Sequence, residues 1–214
     1  LTDETEKQQA RQAINRQTRE LVLDTERRHL LRALYSPGQL REQMTWFWMN
    51  HFSVYAAKGQ VGSMLPEYEE RAIRPHALGK FRDLVMATVT SPAMLVYLDN
   101  AQSAANRINE NYARELMELH TLGISGGPSG SRYTQQDVQE LARVLTGLGV
   151  NLRGEPPKLG PARAAMYRGE GLFEFNPNRH DFGSKVLLGQ RIEPTGYSEV
   201  ERAVTILSRD PATA

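Results

Sequence analysis

Cysteine is missing from this 214-residue chain. With it go disulfide frameworks, thiolate zinc sites, iron–sulfur clusters and cysteine nucleophiles. Neither sign of charge dominates, because 26 Lys and Arg stand against 25 Asp and Glu for a formal net charge of +1. That balance offers no electrostatic footprint for nucleic acid, where a clustered basic face is expected. No apolar run approaches the roughly 20 residues of a membrane span, and no n-region and h-region pair opens the chain. Local catalytic signatures are also missing. SGGPSG (125 to 130) lacks the Gly-Lys-Ser/Thr ending of a phosphate loop, and there is neither a G-x-S-x-G elbow nor an H-E-x-x-H helix. The letters DFG at 181 to 183 do not make a kinase without a VAIK-type lysine and an HRD loop.

What is present reads mostly as helix. Residues 1 to 35 form a polar N-terminal region, solvated early and amphipathic later, with Leu21, Leu23, Leu30, Leu31 and Leu34 as its apolar positions. Ser36-Pro37 is a start signal for a helix to about Tyr55, apolar nearly all round and so expected at the centre of the fold. Residues 56 to 65 read as a connection, and Pro66 begins a charged helix that Pro75 interrupts. Helical spacing resumes at Phe81, Leu84, Val85, Thr88 and Val89, and Ser91-Pro92 starts another helix. Asn109 can cap a helix running to Gly123. Ser125 to Gly130 reads as a flexible turn. Thr134 with Asp137, and Ser198 with Glu201, have capping-box spacing. LFEF (172 to 175) and KVLLG (185 to 189) suggest one short β-hairpin. The expected fold is therefore mainly α, an irregular multi-helix single domain of about seven helices with one hairpin near residues 171 to 190.

Candidate chemistry centres on histidines and carboxylates. His51 lies among Phe47, Trp48 and Tyr55, and His120 falls mid-way across the arc of Tyr112, Leu116 and Met117. Each is either a neutral ring bonded to a backbone carbonyl or carboxylate, or a haem or metal ligand. Glu110, Arg114 and Glu118 have the i, i+4 spacing of a surface ion-pair ladder, whereas Glu115 and Glu118 share a face and suit an oxygen-preferring cation or an acid–base pair. A metal there needs a further ligand from elsewhere, such as His51 or His180. His180-Asp181 sits in a loop, a place for a general base or for turn chemistry with Gly183. The group Trp46, Phe47, Trp48, Phe52 and Tyr55 is read either as a stacking platform for sugars or a partner, or, at helical spacing, as core.

Five blocks carry a resemblance: QLREQMTWFWMNHFSVY (39 to 55), SPAMLVYLDNAQS (91 to 103), NENYARELMELHTLG (109 to 123), YTQQDVQELARVLTG (133 to 147) and HDFGSKVLLG (180 to 189). In this order they resemble the bacterial "domain of unknown function 1800" family. The resemblance implies an exported, largely helical protein, periplasmic or extracellular, of no established activity, often encoded beside a sulfatase-related protein. Its hallmark polar positions correspond to Asn50 and His51, to Asn109, Asn111, Arg114, Glu115 and Glu118, and to His180, Asp181 and Lys185. At His120 the family pattern has either an aromatic residue or His. It further implies that residues 1 to 214 are part of a longer chain, whose remaining helices would be partners of the apolar faces here.

These readings set three functional expectations. One is an extracytoplasmic enzyme whose polar site holds His51, Glu115, Glu118, His180 and Asp181, with a divalent metal on His51, Glu115 and Glu118. In it Asn50, Asn109, Asn111, Arg114 and Lys185 form a supporting polar network. The alternative is a non-enzymatic binding or assembly module for a cell-surface polymer or the co-encoded partner. The third is a haem protein with His51 or His120 as axial ligand. No nucleic-acid partner is expected.

Overall fold

The computed structural model describes residues 2–124 and 132–213, with 58% of residues in helix and 8% in strand, which makes the fold mainly helical. The turn expected at Ser125 to Gly130 lies outside the described residues. The polar N-terminal region is one long helix, α1 (Thr2–Tyr35), followed after a three-residue connection by α2 (Gln39–His51). Ser36 and Pro37 belong to that connection, where Ser36 Oγ accepts the Gly38 N–H at 3.2 Å. The helix therefore starts later than the start signal suggests, and it ends at His51 rather than near Tyr55.

α2 is not central. Only Glu42 and Thr45 are buried on it, while Leu40, Trp46 and Phe47 are 67%, 56% and 53% exposed. Its attachment is one-sided: Trp48 and Met49 pack on the core, and Trp48 donates Nε1–H to Ala77 O at 3.0 Å. The centre is closed instead by α4 (Phe81–Val89), α5 (Pro92–Tyr97), α6 (Asn111–Glu118), α7 (Gln135–Leu145) and α9 (Tyr197–Arg209). α4, α6, α7 and α9 each bury one apolar face, and α5 has no exposed residue, so the centre closes without α2. Leu84, Val85, Met94, Tyr112, Leu116, Leu141 and Val204 are all but solvent-free in that core.

Residues 56 to 76 depart from expectation. α3 (Val61–Glu67) begins inside the supposed connection and carries Pro66 internally. The chain continues as a π-helical segment, Tyr68–Ile73, then a 3₁₀ turn, Arg74–His76, that contains Pro75. A proline removes one intrahelical bond, and the wider π turn follows it directly. α1 crosses α3 at Gly62, where a Cβ would stand 2.8 Å from Ala56 O and 2.9 Å from Thr18 Cγ2. Only a residue without a side chain permits that approach.

Strand residues fall where the hairpin was expected, but the two segments do not pair with each other. β1 (Leu148–Val150), β2 (Arg168–Glu170) and β3 (Phe173–Phe175) form one antiparallel sheet in the order β1-β3-β2, with Leu148 opposite Phe175. β4 (Lys185–Leu187) pairs with β5 (Gln190–Ile192) in a separate two-stranded ribbon. The tight Leu188-Gly189 turn, with φ +49° and +73°, returns β4 onto the next residues and leaves β3 to the distant β1. The short α8 (Pro161–Ala164) lies between β1 and β2. Among the described residues no helix is long and apolar enough to cross a membrane.

Candidate functional site

The HD block is the most tightly bonded of the expected site segments. α9 starts after Gly196, so Glu199 occupies its third position and accepts the Gly196 N–H at 2.9 Å. Ser198, expected to cap with Glu201, instead bonds Thr195 Oγ1 from inside the helix. The same Glu199 Oε1 lies 2.9 Å from His180 Nε2, and Oε2 accepts Lys185 Nζ at 2.6 Å. His180 Nδ1 lies 2.8 Å from Thr146 O, and Lys185 also donates to Asp181 O and to Gly183 O. All three side chains, His180, Lys185 and Glu199, have zero solvent exposure. Burial pushes the Glu199 carboxyl up, but hydrogen bonds from His180, Lys185 and the Gly196 amide outweigh it and hold the acid below its ordinary range.

Asp181 extends this network toward solvent. Its carboxylate takes Arg143 Nε at 2.9 Å and the Gly183 N–H at 2.7 Å, and Arg143 in turn holds Glu140. The Arg143 bonds keep Asp181 well ionised against the opposing effect of burial. Thr146 Oγ1 accepts the Asp181 N–H at 2.8 Å, and the next residue, Gly147, turns at φ +85° where a Cβ would meet Asn176 O at 2.8 Å. Two further α7 carboxylates, Glu140 and Asp137, accept the Val186 and Leu188 amides. The block thus fastens α7, α9 and the β4–β5 ribbon to one another.

His51 and His120 come together without a carboxylate between them. α6 stops at Glu118, earlier than expected, and His120 lies in the following turn, its N–H bonded to Glu115 O at 3.1 Å. The His51 ring nitrogen Nε2 lies 3.2 Å from His120 O, and the two ring centroids are 6.2 Å apart. His120 is 5% exposed, and its Nδ1 has no hydrogen-bond partner among the described residues. Burial, with a smaller contribution from the nearby His51, pushes its pKa down to about 3. His120 is therefore a neutral ring packed between Phe52 and Tyr112.

The asparagine-rich block acts on backbone. Asn109 Oδ1 accepts the Asn111 N–H at 2.9 Å while its Nδ2 bonds Asp99 O, and Asn111 Nδ2 bonds Leu98 O at 3.2 Å. Together they clamp Asp99, which sits in the left-handed region at φ +61°. Asn50 bonds Trp46 O on its own helix. Arg114 makes the expected ladder with Glu110 and Glu118, at 3.5 and 3.8 Å, and reaches Gln135 on α7 at 2.9 Å. Glu115 is half-buried and carries no ion pair or hydrogen bond from its carboxylate among the described residues. Among those residues no group of three or more His, Cys, Asp or Glu is placed to hold a metal ion. The expected set His51, Glu115, Glu118 is not gathered into one.

Sequence reasoning missed a second polar centre, between α1, α2 and the π segment. Glu69, 2% exposed, accepts Arg74 at 2.7 Å and His29 Nδ1 at 3.2 Å. Arg74 also holds Glu42, and Arg32 holds Glu70. Beside this network lies a groove of about 310 Å³, walled by Leu30, Ala33, Trp46, Met49 and Leu65, with His29 and Glu69 at its polar end. The rings of His29 and Trp46 are 5.2 Å apart. Thr146, Arg143 and Glu199 were missed likewise. Each bonds across 19 to 38 residues of sequence to His180 or Asp181, so no local pattern announces it.

A mainly α fold with small antiparallel sheets, fastened by a buried His–Glu–Lys centre, is the class these features define. The model of the family described as "Protein of unknown function (DUF1800)" matches residues 1–214, and the chain belongs to that family. No curated protein and no solved structure matches it.

Proposed function

We propose that this chain is a non-enzymatic binding or assembly module, periplasmic or extracellular, whose working surface is the outer face of α1 and α2. One observation carries the reading: Leu30, Leu34, Leu40, Trp46 and Phe47 are each more than half exposed on these two adjoining helices. Apolar and aromatic surface of that extent on a folded domain marks a contact site. The aromatic group read from the sequence as either platform or core divides, with Phe52 in the core and Trp46, Phe47 and Tyr55 outside it. The HD block supports the same reading, since side chains with zero exposure and internal partners hold elements together and do not meet a substrate. The partner proposed is the co-encoded sulfatase-related protein. Co-purification of the two proteins, repeated with Leu34→Glu plus Phe47→Glu, tests this. Loss of capture with an unchanged circular dichroism spectrum is expected, and capture unaffected by the double substitution overturns it.

A second reading keeps the enzymatic alternative through Glu115, whose half-buried carboxylate has no described partner beside Glu118. Metal analysis of the purified protein and of Glu115→Ala tests it. A divalent ion lost in the variant is the expected result, and equal metal content in both overturns it.

A further inference from the structure

The α1–α2 groove has the makings of a specific site within that surface. Its wall is chiefly apolar, its volume of about 310 Å³ lies at the lower end of ligand pockets, and one lining side chain, Trp46, is an exposed indole. Its polar end is prearranged. Glu69 is fixed by Arg74 and itself fixes His29, so the groups facing the groove lose little freedom on binding.

Charge decides what fits. In the bonded network three carboxylates, Glu42, Glu69 and Glu70, face two guanidiniums, Arg32 and Arg74. Carboxylates there outnumber guanidiniums by one. Glu26 lines the groove and has no ion pair among the described residues, which adds another carboxylate. An indole, an apolar wall and excess carboxylate together select a cation that carries its own apolar surface. A strongly hydrated metal ion would waste the wall, and an anion would meet the carboxylates.

We propose that the groove between α1 and α2 binds an alkylated ammonium group, seated on Trp46 with Glu26 and Glu69 as its counter-charges. This rests on the reading of the α1–α2 face as the working surface and names the ligand class it takes. The test is titration of the protein with choline and with its neutral isostere 3,3-dimethylbutan-1-ol, followed by calorimetry and tryptophan fluorescence. Choline is expected to bind saturably, with the isostere at least about tenfold weaker, the scale of a desolvated cation–aromatic contact. Trp46→Leu should abolish the choline response. Glu26→Gln, a surface change that leaves the fold intact, should weaken choline several-fold and leave the isostere unchanged. Equal binding of the two compounds, or no saturable binding of either, overturns the assignment. Partner capture that survives such a result leaves the docking reading standing, whereas capture that ignores the Leu34 and Phe47 substitutions removes that reading and not this one.

Discussion

Lys185 Nζ lies 2.6 Å from Glu199 Oε2, and neither side chain has any solvent exposure. A pair this deeply buried is weak evidence of net stability, because both ions were stripped of water, yet removing one partner strands the other. Lys185→Met should therefore destabilise by about 3–5 kcal/mol. Lys185→Met with Glu199→Met should cost clearly less than the sum of the single changes. Urea unfolding of the three variants measures this, and strict additivity would mean the contact carries no coupling.

Acid should act in two windows. The native His120 is held to about 3 against an ordinary 6.5, so between those values the unfolded chain binds more protons and stability falls as pH drops. Glu199 and Asp181 are depressed carboxylates, whose contribution is complete above their ordinary values and lost as pH falls below them. His120→Phe should flatten the slope between pH 6.5 and 4.5 and leave the steeper acid limb. Melting temperature against pH for both proteins checks it, and an unchanged upper slope would assign that slope to another group.

Gly62→Ala should loosen the seat of α1. The added methyl meets backbone oxygen at 2.8 Å and the Thr18 methyl at 2.9 Å. Overpacking of this kind costs about 1–3 kcal/mol. Hydrogen exchange is the measurement, with faster exchange expected in the C-terminal half of α1 and in α3 while α6 and α7 keep their protection.

Thr134→Ala should remove a working cap. Thr134 Oγ1 accepts the Asp137 N–H, and Asp137 Oδ2 accepts the Thr134 N–H at 2.8 Å. About 1 kcal/mol is expected from chemical denaturation, and Asp137→Ala should cost more, because Asp137 also holds Leu188 of the ribbon turn.

That last cap was legible because both of its partners lie within four residues, as were the helices at 81–89 and 92–97 with their Ser91-Pro92 start. Helical periodicity and the Thr134–Asp137 box are local, and the structure keeps them, whereas the Ser36 and Ser198 cap signals are not used. What hydropathy cannot rank is which apolar helix the core will use: α2 is rich in aromatic residues but anchored through buried Glu42 and Thr45, and it lost that place to helices with one clean face. Strand pairing failed for a related reason, since Phe175 finds Leu148 across the chain while β4 is turned back by Gly189. In the candidate site, His180, Asp181 and Lys185 do gather as one unit. Glu199, which His180 and Lys185 share, was hidden because its neighbours Ser198 and Glu201 imitate a cap. His29 and Glu69, 40 residues apart, leave no sequence signature at all.

α1 holds two kinds of stability in one continuous helix. At about 1.5 Å per residue its 34 residues span about 51 Å. Residues 3–17 are all exposed, and Thr18 and Val22 pack against Gly62. An exposed helical stretch of that length is marginal by itself. The helix should therefore melt from its exposed residues 3–17 inward, as a zipper whose last teeth are the Thr18 and Val22 contacts. A protease would trim it inward only as far as that crossing.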